Sequence, residues 1–153
     1  MHTIATDFVF TVRAALADMI VIGEMPRGLR RFVPITGGTV SGPAFSGSVL
    51  PQGGDWQIAI SDTLLEVDAR YFIRTHDEVT ISVVNRGLRR AQASVMARLG
   101  RGEAVAPDEY YFRTTPCFEA PRDSGYRWMN ESTFVASAER EKNTAVIHVH
   151  RVL

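Results

Sequence analysis

Several short stretches of this chain hold residue types that can move protons or bind an anion. In Asp68-Ala69-Arg70-Tyr71 the alternation of an extended strand puts Asp68 and Arg70 on one face with Phe72, and Val67, Ala69, Tyr71 and Ile73 on the other. Spacing alone favours the solvated outside of a sheet for such a charged face. Turned into a partly dry cavity, the same pair becomes acid/base machinery. Desolvation raises the carboxyl and a neighbouring guanidinium lowers it, which leaves an ionised base beside a fixed positive charge. Asp68 would then take a proton from an acidic carbon or hydroxyl while Arg70 or Arg113 stabilises the enolate or alkoxide that develops.

Asp55-Trp56 follows Gly53-Gly54, a tight turn expected to deliver both side chains to one end of the fold. There Trp56 walls an aromatic ligand and Asp55 is a second acid/base group, or the pair is a turn aspartate with a packed Trp. Trp128 and Asn130 lie one strand period apart, so an extended segment would present them together as a second aromatic wall and an amide donor; core packing of Trp128 is the plainer alternative. Asn85 precedes Arg86-Gly87, where it either accepts a turn conformation or binds substrate. Arg113, between large apolar neighbours, needs a carboxylate such as Asp68, Asp55 or Glu119 if it is buried, and none if it is exposed.

Other chemistries find less support. His148 and His150 share a strand face but have no third ligand nearby in sequence, so no metal site is expected. Cys117, beside Pro116 in a strand, reads as a buried, inert thiol. Among 17 basic residues Lys142 is the one lysine, which removes Schiff-base chemistry as a general device and leaves arginine chemistry. The glycines from Gly37 to Gly54 lack the spacings of phosphate-cradling loops. No metal or cofactor is expected.

The elements that must position these residues are mostly strands. With 153 residues and 17.0 kDa the chain is long enough for one domain, 1–153, with a sizeable core. Seventeen acidic residues balance seventeen basic ones, and no stretch concentrates one sign, which argues against a nucleic-acid or membrane partner. One cysteine, no signal-peptide pattern and no long apolar run point to a soluble, cytoplasmic protein.

Runs rich in Val, Ile, Thr, Phe and Tyr, separated by Gly, Pro, Asp or Asn, predict an all-β fold: an antiparallel barrel, closed or nearly so. The strands expected are 8–15, 29–35, 38–49, 56–60, 65–74, 79–85, 110–119, 131–139 and 145–152. Ala91, Val95, Met96 and Leu99 recur at helical spacing, and Gly100 suits a helix end. A short helix near 91–99 is therefore predicted to cover one end of the barrel.

In order along the chain stand Gly37-Gly38-Thr39-Val40-Ser41-Gly42-Pro43, Gly47-Ser48-Val49-Leu50-Pro51, Gly54-Asp55-Trp56-Gln57, Asp68-Ala69-Arg70-Tyr71, Asn85-Arg86-Gly87, Tyr111-Phe112-Arg113-Thr114 and Trp128-Met129-Asn130. This ordered set resembles the DUF3237 family, also called the UPF0311 proteins, over nearly the whole chain. The resemblance implies a calycin-like single-domain barrel. It turns Asp68 and Arg70 toward the functional reading, because the family pattern carries both at these positions. Family members often have glycine in the turns near Thr63 and Glu78, where this sequence does not, a departure that concerns two hairpins and not the barrel. Some members are associated with natural-product pathways in which cofactor-free cyclisation or rearrangement is proposed.

Together these observations predict a small cofactor-independent enzyme that binds a hydrophobic or aromatic molecule and performs proton-transfer-driven cyclisation, isomerisation or lyase chemistry. Asp68, Arg70 and Asp55 are its expected catalytic groups; Trp56, Asn85, Arg113, Trp128 and Asn130 are its expected binding groups. The alternatives are a non-catalytic small-ligand binding module and an interaction protein, such as a homo-oligomer, in which the arginines bridge subunits.

Overall fold

The computed structural model describes residues 1–153. Ten strands form one antiparallel sheet: β1 (Thr6–Leu16), β2 (Ile20–Met25), β3 (Gly28–Ser41), β4 (Gly47–Val49), β5 (Gly53–Ala59), β6 (Leu64–Thr75), β7 (Thr80–Arg90), β8 (Tyr111–Glu119), β9 (Phe134–Glu141) and β10 (Thr144–Val152). The order β1-β10-β9-β8-β7-β6 continues through β4 and β5, which share one position, to β3, and β3 pairs back onto β1. The result is a closed eight-stranded barrel with one helix, α1 (Ala93–Gly100). Closure leaves only β2 as an edge; it pairs with β3 alone and exposes Ile20, Val21 and Ile22.

Two departures from the expected strands matter for the site. The stretches expected at 29–35 and 38–49 begin as one strand, β3, which runs through Gly37 and Gly38. Gly38 has φ 142°, and a Cβ there would strike the Arg13 carbonyl, so glycine lets β3 turn the barrel corner while pressed on β1. The strand expected to end at Asn85 instead continues as β7 to Arg90. Gly87 sits inside it because its missing side chain makes room for Thr114 of β8, so Asn85 lies mid-strand rather than in a turn.

The helix forms where the spacing placed it, shifted by one to two residues. Leu99 is its one buried residue, and Gly100 is its last helical residue; the left-handed position falls at Gly102, with φ 72°. Glu78, in the β6–β7 turn, adopts φ 66°. That is a glycine-like conformation, in one of the two hairpins where the sequence departs from the family pattern.

Inward-facing side chains alternate along each strand. At one end they build an aromatic plug: the Phe10 ring lies 4.9 Å from Phe45 and 5.5 Å from Phe118, and Phe118 lies 4.9 Å from Phe134. A 3-10 segment, Arg127–Glu131, closes this end, with Met129 buried beneath it.

Candidate functional site

The other half of the lumen is polar. Val33 pairs with Asp55, and Asp55 with Ala69, which pairs in turn with Asn85, so Asp55 and Asn85 stand in one row around the inner wall with a single methyl between them. Arg31 and Gln57, one step further toward the helix end, are paired across β3 and β5. Arg89 of β7 and Arg140 of β9 complete a cavity with apolar walls that include Val33, Tyr71, Leu99, Phe112 and Ile147. About 100 Å³ of it is open to the centre of a water molecule.

A short relay fixes the carboxylate. Arg31 Nε donates to Gln57 Oε1 at 2.9 Å, Gln57 Nε2 donates to Asp55 Oδ2 at 2.7 Å, and the backbone N–H of Asp68 donates to Asp55 Oδ1 at 2.9 Å. Burial pushes the Asp55 carboxyl up, against the pull of its hydrogen bonds from Gln57 and Asp68 and of the Arg89 charge. Burial also lowers Arg31 and Arg140, which Asp55 partly offsets. Arg89 falls to about 10 through burial and then through repulsion by Arg31 and Arg140. Three guanidiniums facing one carboxylate leave the lumen with a positive excess, in surroundings that screen it less than bulk water does. Its chemistry pairs positive charge with apolar walls.

The expected site residues divide between the two sides of the wall. Asp55 and Asn85 face the lumen. Asp68 and Arg70 do not: the even-numbered residues of β6 face outward, because the odd-numbered Leu65, Val67, Tyr71 and Ile73 fill the core. The lumen placement considered for this pair is thus corrected. Asp68 Oδ2 pairs on the outer surface with Arg70 at 3.3 Å and Arg86 at 3.2 Å. Trp56 is likewise outside, 45% exposed with its ring centre 4.9 Å from that of Phe32 and tilted against it, because its neighbours Asp55 and Gln57 take the inner face. Adjacent residues in a strand cannot share a face, so the tight turn that would have delivered Asp55 and Trp56 together is replaced by β5.

Arg113 also points outward, between the inward Phe112 and Thr114; its guanidinium lies over Tyr111 at 5.3 Å, and it needs no buried carboxylate. Cys117 is exposed for the same reason of parity, which corrects the expectation of a buried thiol. Trp128 and Asn130 fall in the 3-10 segment rather than a strand. Asn130 is tied to the backbone of Ala120 by bonds of 2.8 and 2.9 Å, and Trp128 packs on Phe134 at 5.9 Å, so both serve the plugged end.

Arg31, Gln57, Arg89 and Arg140 were not singled out by sequence. Gln57 and Arg89 had a signal: each is two residues, or four, from a polar residue on the same strand face, Asp55 and Asn85. Arg31 and Arg140 carried none, since only closure of the barrel brings β3 and β9 to the same space.

A closed antiparallel barrel with a polar, arginine-lined lumen is the class that fold and site define. The family model described as "Protein of unknown function (DUF3237)" matches residues 4–152. The chain belongs to this family. It is 42% identical to a UPF0311 protein of Rhodopseudomonas palustris over 99% of this chain and 98% of the relative. The crystal structure of that conserved protein of unknown function superposes with a TM-score of 0.93 over 100% of this chain and 99% of the other, at 40% identity. A β-barrel-like protein of Acinetobacter baumannii gives 0.85 at 32% identity, covering 100% and 98%. An enzyme from Penicillium herquei gives 0.73 at 19% identity, covering 100% and 97%, a likeness of fold.

Proposed function

We propose that this protein is a cofactor-independent enzyme that binds a small organic anion with an apolar or aromatic body in its lumen and moves a proton with Asp55 as base. The observation that supports this most is the single lumen carboxylate set among Arg31, Arg89 and Arg140. A raised carboxyl is a better proton acceptor than an exposed one, and guanidiniums in a dry cavity stabilise an enolate or phenolate as it develops. Cyclisation, isomerisation and elimination next to a carbonyl all begin with such a proton transfer. Asp68 and Arg70, on the outer surface, have no part in this reading.

A second reading, a non-catalytic binding module, is favoured by one detail: both oxygens of Asp55 already accept hydrogen bonds, which suits an anchor for Gln57 and Arg31 as well as it suits a base. The test begins with a thermal-shift screen of planar phenols, β-dicarbonyls, pyrones and small hydrophobic acids, since a ligand specific to the native state raises the melting temperature. Each hit is then followed by NMR over time. Chemical change that stops in Asp55→Asn while binding persists is the expected result. Hits that bind unchanged to both proteins and never react would replace the enzyme with the binding module.

A further inference from the structure

The inner wall carries three polar side chains that the fold leaves unserved. Asn85 and Thr114 are each 4% exposed and Arg89 is 5% exposed. The carboxamide oxygen of Asn85, the hydroxyl of Thr114 and Nε of Arg89 have no hydrogen-bond partner within the protein. They are neighbours in the sheet. Gly87 lies between Asn85 and Arg89 on the inner face of β7, and Thr114 pairs across from it on β8. Buried polar atoms are almost always paired, because leaving one unpaired forfeits its hydration without return.

Nothing in the fold requires these residue types. Asn85 is in a regular strand, not a turn, and the inner positions before it on β7, Ile81 and Val83, are apolar. A leucine or valine would fill the same space without the cost. Asn85 and Arg89 line the cavity, and Thr114 does not; unpaired polar groups at a cavity wall are suited to a ligand that brings the missing partners.

The chemistry of the two lining groups restricts that ligand. A carboxamide is uncharged and both donates and accepts, so Asn85 matches a neutral hydroxyl or enol, and its oxygen would repel an anion. Arg89 matches the anion. Asn85 and Asp55 pair with the same residue, Ala69, from either side, which sets their backbones about 10 Å apart across two strand spacings. Only the Ala69 methyl occupies that interval on the inner face, so a ligand hydroxyl resting on it is within reach of both side chains.

We propose that Asn85 forms a hydroxyl-recognising subsite, and that the ligand is a hydroxylated or enolic organic acid whose hydroxyl sits over Ala69 between Asn85 and Asp55 while its anionic oxygens meet Arg89. This rests on the lumen being an anion site, as argued above. A site built around a hydroxyl discriminates strongly against the analogue that lacks it, because the analogue leaves the buried groups unpaired again.

The test uses a matched pair of probes, 3-(4-hydroxyphenyl)propanoate and 3-phenylpropanoate, with affinities measured by NMR titration. The intact protein should bind the hydroxylated acid at least about tenfold tighter. Asn85→Leu should bind both acids alike, at the affinity of the unhydroxylated one, and Arg89→Met should lose both. Equal affinities in the intact protein, with both lost in Arg89→Met, would overturn the hydroxyl subsite and leave the anion site standing. Binding of neither acid, or binding indifferent to Arg89→Met, would overturn both. Melting temperature without ligand gives an independent check: Asn85→Leu should melt no lower than the parent. A clear fall would mean that the Asn85 oxygen already has a partner in the resting protein, and the subsite would be abandoned.

Discussion

The two halves of the lumen bury side chains in opposite ways. At the plugged end the rings of Phe10, Phe45, Phe118 and Phe134 pack against one another at steep angles, and a carboxylate on its rim, Asp77, is well served: Thr75 Oγ1 and Tyr126 Oη both donate to its Oδ1 at 2.6 Å. Those two hydrogen bonds hold the Asp77 carboxyl below the usual carboxylate range. At the helix end the carboxylate is inside, burial raises it, and three guanidiniums around it are themselves desolvated. One end spends burial on packing and the other keeps polar groups in places where water is scarce. The contrast separates packing from polar burial within one barrel: the plug holds the wall in shape, and the far half holds groups in costly states.

The sharpest way to break this contrast is to open the plug. Phe10 is fully buried, and Phe10→Ala should cost about 3–5 kcal/mol in urea denaturation by removing contacts and leaving a cavity. A loss under about 1 kcal/mol would mean that the plug is not what holds the barrel closed. At the other end the sign should reverse. Arg89→Met removes a desolvated charge that Arg31 and Arg140 repel, and should stabilise the ligand-free protein by about 1 kcal/mol or more while abolishing anion binding. Destabilisation instead would show that its attraction to Asp55 outweighs burial.

The two carboxylates should also separate by pH. Asp55 holds its proton to higher pH in the folded state than in the unfolded one, so its contribution to stability falls as pH rises from the ordinary aspartate range through its raised value. Asp77 behaves oppositely: its contribution is present above the ordinary range and is lost as pH falls through its lowered value. Denaturation of the parent and of Asp55→Asn from roughly pH 4 to 7 should therefore show a stability difference that shifts in favour of the variant as pH rises. A difference independent of pH would refute the raised carboxyl. Smallest of all, Glu78→Gly should gain about 1 kcal/mol or less by relieving the left-handed backbone of the β6–β7 turn, with no effect on ligand binding. A loss of stability would show that the Arg74–Glu78 contact at 3.8 Å matters more than the backbone.

Much of the barrel was legible because alternation is local. The runs around β1, β6, β8 and β10 carry their period-2 pattern within a few residues, and the helix carries its own spacing, so each could be placed without knowing the rest. β2 was missed because Ile20-Val21-Ile22 does not alternate; as an edge strand it has no buried face to impose a pattern. The two strands expected at 29–35 and 38–49 merged at their junction because Gly37 and Gly38 read as a break in the sequence, while in the barrel they serve as a corner.

The candidate site was legible only in part, for a reason that parity makes plain. The sequence determined that Asp68 and Arg70 share one face and that Asp55 and Asn85 stand on strands, since side chains alternate whatever the sheet does. On β6 the larger apolar set lies opposite Asp68 and Arg70 and took the inside; on β5 the apolar Trp56 faces out while Asp55 and Gln57 face in, a choice the strand's own apolar content does not make. The gathering of Arg31, Arg89 and Arg140 around Asp55 belongs wholly to the tertiary structure. They come from three strands far apart in the chain, and only closing the sheet on itself brings three like charges into one dry space.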